Sequence, residues 1–118
     1  MLNGKVLLVD DNDLVRLCVA ELLTDCDIEV MVAASGSEAL GLLDEHPAAL
    51  LVDLNLGCEM DGRQLAEVVH QRCPETAVIL MSGDAEALRL KSSSRDTMLA
   101  KPFSLTLLLA TLSNATTA

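Results

Sequence analysis

No run of apolar residues in this sequence approaches the roughly 18 that a membrane-spanning helix needs, although 51% of its residues are hydrophobic and its mean hydropathy is +0.39. The apolar residues come instead in runs of about four to six, separated by charged and small polar residues, which is the pattern of a buried core. The amino terminus, Met1-Leu2-Asn3-Gly4-Lys5, leads only into Val6 to Val9 before two aspartates. It lacks the basic region, longer apolar stretch and small-residue cleavage site of a secretory signal, so a cytoplasmic location is expected. Basic residues are scarce: eight Lys and Arg stand against eighteen Asp and Glu, a formal net charge of -10. That balance argues against a nucleic-acid or anionic-membrane surface. The four cysteines, Cys18, Cys26, Cys58 and Cys73, show no CxxC spacing and lie in or beside apolar segments. Free, mostly buried thiols are expected rather than disulfides or zinc ligands. No internal repeat and no linker is visible, and 118 residues suit a single domain over 1–118 that buries about two thirds of its unfolded surface.

What is present is an alternation of short apolar strands and amphipathic helices. Lys5 to Val9 is an unbroken, β-branched-rich run that reads as a buried strand. Asp10-Asp11-Asn12-Asp13 ends it, and one of the later acids or Asn12 caps a helix over about 13 to 25, whose apolar face is Leu14, Val15, Cys18, Val19, Leu22 and Leu23. Ile28 to Ala33 reads as a second strand, followed by Ser35-Gly36-Ser37-Glu38 and a short helix that stops before Pro47. Ala49 to Asp53 is a third strand, with a helix over about 62 to 71 whose inner face is Leu65, Ala66, Val68 and Val69. Ala77 to Met81 is a fourth strand, ending at Ser82-Gly83-Asp84. After it come a helix of at most two turns over Ala85 to Lys91, a serine-rich loop, a short weak strand at Thr97 to Ala100, and a leucine-rich helix from Phe103 to about Ser113. Residues 114–118 read as a frayed tail. This series predicts an α/β fold with a parallel sheet covered on both faces.

In such a sheet the carboxyl ends of all strands share one edge, where ligands bind. Here that edge receives Asp10 and Asp11, Asp53, Ser82, and then Lys101-Pro102 after the weak strand. Each alone has a plain structural explanation as a turn or a helix cap. Their joint placement at four strand ends is harder to explain that way. Crowded carboxylates repel one another, and a hard divalent cation with a preference for oxygen resolves the conflict. Asp11 and Asp53 can ligate directly, Asp10 directly or through water, and the main-chain carbonyl of Asn55 lies within loop reach. Lys101 adds a positive charge and Ser82 a hydroxyl donor. With Asp53 as nucleophile, the set suits phosphoryl transfer.

From about Lys5 to Ser113 the chain resembles the receiver domain of two-component response regulators. The resemblance rests on Val9-Asp10-Asp11, Asp53-Leu54-Asn55, Met60-Asp61-Gly62, Met81-Ser82-Gly83 and Lys101-Pro102-Phe103. It implies a flavodoxin-like (βα)5 fold with five parallel strands in the order 2-1-3-4-5. It also implies Asp53 as phosphoacceptor, becoming a 4-aspartylphosphate, and Asp10 and Asp11 with Asn55 as holders of Mg2+, for which Mn2+ could substitute. Ser82 matches the switch hydroxyl, Lys101 the invariant lysine, and Pro102 a cis-proline that fixes the lysine loop. The implied partner is a sensor or hybrid histidine kinase or a phosphotransfer protein. Beyond accepting the phosphoryl group and hydrolysing its own aspartyl phosphate, no enzyme activity is implied.

Three departures mark this sequence within the resemblance. Met98 stands where an aromatic is common, so any switch linked to Ser82 would use a flexible thioether instead. The segment between Ser82 and Lys101 is short, so the fourth helix is expected to be shortened. The loop from Leu56 to Asp61 is one residue longer than the commonest form, lacks its proline, and resembles that of receivers attached to hybrid kinases. The chain then reads as a stand-alone regulator or the receiver of a larger hybrid kinase, without DNA binding of its own. The alternative function is a non-phosphorylated receiver-like interaction module, which the intact set Asp10, Asp11, Asp53, Ser82 and Lys101 argues against. A flavin-binding relative of the same fold is disfavoured because acids, not a phosphate cradle, follow the first strand. His46 and His70 read as surface residues.

Overall fold

A computed structural model of the chain describes residues 4–57, 60–84, 86 and 96–116. Strands and helices alternate as β1 (Val6–Val9), α1 (Asp13–Asp25), β2 (Val30–Ala33), α2 (Gly36–Leu40), a 3-10 turn at Leu43–Glu45, β3 (Ala49–Asp53), α3 (Gly62–Arg72), β4 (Ala77–Ser82), β5 (Asp96–Ala100) and α4 (Leu105–Thr116). The strands pair in parallel in the order β2-β1-β3-β4-β5. This is the flavodoxin-like order that the resemblance implies.

The unbroken apolar runs of the central strands have a simple cause, because each strand feeds two cores at once. Leu7 and Val9 of β1, Leu50 and Val52 of β3, and Val78 and Leu80 of β4 point to the side covered by α2 and α3. Their neighbours Val6 and Leu8, Ala49 and Leu51, and Ile79 and Met81 point to the side covered by α1 and α4. A half-exposed sheet would need polar residues at every second position, and these strands have none before their last residues, Asp53 and Ser82.

Several boundaries differ from the sequence expectation. β2 starts at Val30, not Ile28, because the chain leaves α1 through a tight turn in which Asp27 has a φ of 62° and the Ile28 N–H still bonds the Leu23 carbonyl. β4 runs on through Ser82, and β5 begins at Asp96. α4 starts at Leu105, where the Ser104 hydroxyl accepts from the Leu107 N–H. It continues to Thr116, so Asn114 to Thr116 are helical rather than frayed. Apart from Glu86, the helix expected over Ala85 to Lys91 lies outside the described residues, as do Ser92 to Ser94, Cys58 and residues 117–118.

Three expectations about burial are corrected. α1 inserts only Val19 and Leu23 fully, with Val15 partly buried, while Leu14, Leu22 and Cys18 are exposed. The inward stripe is narrower than the apolar positions allow. Among the described cysteines none is fully buried: Cys26 and Cys73 are half-buried as well. His70 is not a simple surface residue, since its Nε2 lies 2.5 Å from Oδ1 of Asp96, whose side chain is fully buried. The pair ties α3 to the start of β5. His46 is exposed, as expected.

The entry to α3 bears on the sheet edge directly. Asp61 caps the helix by accepting from the Gln64 N–H at 2.8 Å, and the Gln64 side chain accepts from the Asp61 N–H at 3.0 Å, a reciprocal capping box. The next residue, Gly62, donates its N–H to the Leu54 carbonyl and lies so close to the end of β3 that a Cβ would collide with the Asp53 carbonyl oxygen and come within 2.8 Å of the Leu54 Cα. Gly62→Ala is therefore expected to lower stability by about 1–3 kcal/mol, seen as a lower urea midpoint at unchanged slope. Gly83→Ala, where a Cβ would meet nothing within 4 Å, should stay within about 0.5 kcal/mol of the parent.

Candidate functional site

The parallel register fixes the height of each candidate side chain on the sheet edge. Val9 pairs with Val52, so Asp10 and Asp53 emerge side by side one residue later. Asp53 pairs with Met81 and Ser82 with Ala100, which brings Ser82 and Lys101 to the same rim. The Lys101 N–H bonds the Ser82 carbonyl at 2.8 Å, and the Leu54 N–H bonds the Met81 carbonyl at 2.9 Å, extending the ladder past the strand ends. The peptide bond between Lys101 and Pro102 is cis.

Lys101 links the acids. Its Nζ donates to Oδ2 of Asp53 in a short contact and to Oδ2 of Asp10 at 3.3 Å. Asp53 Oδ1 accepts from the Asn55 N–H at 2.7 Å, and Asp10 Oδ1 accepts from the Asn12 N–H at 2.9 Å. Asp10 is almost wholly buried and Asp53 nearly so, which makes these partners necessary, because a buried carboxylate without compensation is costly. Asp11 is exposed, with Oδ2 beside Gly57. Ser82 is buried, and its Oγ accepts from the Asp84 N–H at 2.9 Å, leaving the hydroxyl proton to be donated elsewhere. Met98, paired with Leu80 on the ladder, packs against the α2 and α3 core.

Sequence spacing brought out the acids, the hydroxyl and the lysine, but not Arg16. Its Nη1 donates to the main-chain carbonyl of Asp10 at 2.7 Å and its Nη2 to the Asp13 carboxylate at 2.5 Å. The i, i+3 pairing of Asp13 with Arg16 on α1 was visible in the sequence. The contact with the Asp10 backbone required the fold.

The donors at this edge are all oxygens from Asp10, Asp11 and Asp53, with Asn55 on the same loop, a composition that fits a hard divalent cation. As they stand, no three acidic, His or Cys side chains among the described residues are grouped for ligation, and Lys101 holds one oxygen each of Asp53 and Asp10. A cation would share those oxygens with the ammonium.

These features, strand order and edge together, coincide with a known family. The sequence profile of the response regulator receiver domain matches residues 6–113. The chain belongs to this family. An NtrX-like response regulator of Rickettsia bellii is 41% identical to the receiver over 80 residues, covering 66% of this chain and 17% of that protein. The transcriptional regulatory protein SrrA of Staphylococcus aureus is 31% identical over 106 residues, covering 87% and 44%. The receiver thus spans less than half the length of these curated relatives. Among solved structures, the receiver domain of NtrX from Brucella abortus superposes with a TM-score of 0.83 at 28% identity, covering 97% of this chain and all of that one. A response regulator from Chloroflexus aurantiacus gives 0.86 at 30% identity, covering 99% and 100%. Among the described residues no helix of the receiver is long and apolar enough to cross a membrane.

Burial by itself lowers the pKa of Lys101, but the hydrogen bond and charge of Asp53, and then the charge of Asp10, outweigh it and hold the ammonium above the ordinary lysine value. A raised folded value means that this stabilisation is complete below the unfolded lysine pKa of about 10.4 and is lost as pH climbs through the folded one. In cation-free buffer the urea midpoint of the receiver should therefore fall above about pH 10.4, and Lys101→Met should lack that component of the fall.

Proposed function

We propose that this receiver accepts a phosphoryl group on Asp53 from a phosphohistidine and thereby switches a protein interaction surface. The observation that carries the proposal is the Lys101 ammonium bridging the Asp53 and Asp10 carboxylates at the sheet edge. An Asp53 carboxylate oxygen attacks phosphorus, the bond from phosphorus to the donor imidazole nitrogen breaks, and the imidazole leaves with the electron pair and takes a proton. Charge gathers on the phosphoryl oxygens as this happens, and Lys101 is placed to follow them while still bonded to the acceptor. The Asn55 N–H holds the other Asp53 oxygen, so the carboxylate presents one face to the incoming group. Ser82 can release the Asp84 N–H and donate to a phosphoryl oxygen, and Met98 can repack against the α2 and α3 core in response. Asp10, Asp11, Asp53 and the carbonyl of Asn55 would hold Mg2+, or Mn2+ in its place, which when bound neutralises the transferring group. The same groups with water in place of the donor would support hydrolysis of the aspartyl phosphate. Nothing in this reading calls for nucleic-acid or membrane contact by the domain.

The donor has to approach across the start of α1, which leaves the sheet immediately after the two acids. There Leu14 is 69% and Leu17 56% exposed, with Leu22 a further turn along. Leu14 and Leu17, neighbours at i and i+3, form a short apolar strip of the kind that a partner helix covers. We assign that strip to the donor protein, a sensor or hybrid histidine kinase or a phosphotransfer protein. With a phosphohistidine donor active on this chain, Leu17→Asp is expected to slow transfer by about tenfold or more and to leave labelling by acetyl phosphate unchanged.

The central test is intact mass after incubation with acetyl phosphate and Mg2+. The wild type should gain one phosphoryl group, and neither Asp53→Asn nor the wild type without a divalent cation should. Labelling that survives in Asp53→Asn would place the acceptor elsewhere. A folded wild type that takes no label from acetyl phosphate or from any phosphohistidine donor would overturn the proposal.

A further inference from the structure

Arg16 is the one basic side chain on α1, and it points back toward the acids rather than out along the helix. Its side chain is about four-fifths buried, and its guanidinium spans two acceptors, the Asp10 main-chain carbonyl at 2.7 Å and the Asp13 carboxylate at 2.5 Å. That carbonyl belongs to the peptide joining Asp10 to Asp11, so its direction sets where the Asp11 side chain leaves the chain. Every polar atom of Asp10 is then held: the N–H by the Ala33 carbonyl, the carbonyl by Arg16, one carboxylate oxygen by the Asn12 N–H and the other by Lys101. Three of these fix Asp10 itself, and the Arg16 contact fixes the peptide that leads to Asp11.

Helix formation does not require this contact. Asn12 caps α1 through the Val15 N–H, and the Arg16 N–H bonds the Asn12 carbonyl whatever the side chain does. The ion pair with Asp13 is an i, i+3 pair whose acidic partner is exposed, an arrangement worth little in stability. A planar fork that reaches two oxygens in fixed directions is something arginine provides and lysine does not. On the reading that this edge binds a divalent cation and a phosphoryl group, we propose that Arg16 is a positioning residue that orients the Asp10–Asp11 peptide so that its carboxylates converge on the cation.

Electrostatics alone predicts the opposite sign for its removal, which makes the idea testable. Deleting a positive charge beside an acidic cluster should tighten cation binding, whereas deleting a positioning contact should weaken it. The experiment is calorimetric titration of Mg2+ into wild type, Arg16→Met and Arg16→Lys, with the rate of acetyl phosphate labelling followed against Mg2+ concentration in the same three proteins. Both variants are expected to bind Mg2+ about tenfold more weakly, the size of effect that outer partners of metal ligands commonly have. Arg16→Lys is expected not to rescue binding although it keeps the charge, and labelling at saturating Mg2+ should recover toward the wild-type rate. Should Arg16→Met fail to fold, Arg16→Lys decides on its own. Mg2+ binding in the folded variants as tight as wild type, or tighter, overturns the positioning role while leaving the proposed function standing. A wild type that neither binds Mg2+ nor becomes labelled overturns both.

Discussion

The ammonium of Lys101 between the carboxylates of Asp53 and Asp10 is the contact on which the rest of this structure depends. Two carboxylates that are nearly buried and side by side on adjacent strands would repel each other and resist leaving water. The lysine resolves that conflict from the end of a third strand, and it can do so only because the β3, β4 and β5 ladder sets its height. A domain of this size with an acidic excess has no other described ammonium at that edge. The fold supplies the geometry that lets one ammonium serve both carboxylates.

The loops answer to the same constraint. Asn55 turns its N–H onto Asp53, Asn12 turns its own onto Asp10, and each also begins the chain's departure toward the next helix. Gly62 then lets α3 start directly against the Asp53 carbonyl. Asp53 thus lies against a helix through its backbone and is bonded through its side chain to Lys101, the residue after β5.

Much of this was legible in the sequence, for identifiable reasons. β1, β3 and β4 are unbroken apolar runs because both faces of each are covered, and their ends are marked by acids or a hydroxyl that an apolar core would reject. Parallel pairing then brings those ends together, so Asp10, Asp53, Ser82 and Lys101 could be grouped before any coordinates. What was missed depended on direction within an element or on partners far apart in the chain. Spacing of three and four residues on α1 includes Leu14 and Leu22, but it does not say which third of the helix meets the sheet. Only Val19 and Leu23 are fully inserted. His70 and Asp96 are 26 residues apart and meet only once α3 lies beside β5. The Arg16 contact with a backbone carbonyl leaves no trace in residue identities, since every residue has a carbonyl.

The register between β4 and β5 has one more consequence. Because the parallel register from Val78 opposite Asp96 through Ser82 opposite Ala100 determines where Lys101 emerges, the number of residues joining the two strands does not. A one-residue slip in the ladder would turn the lysine to the opposite side of the sheet, yet several residues could be gained or lost from the connection without moving it. The ladder alone thus sets the height of Lys101 on the rim, and the connection has only to bring the chain from the end of β4 to the start of β5.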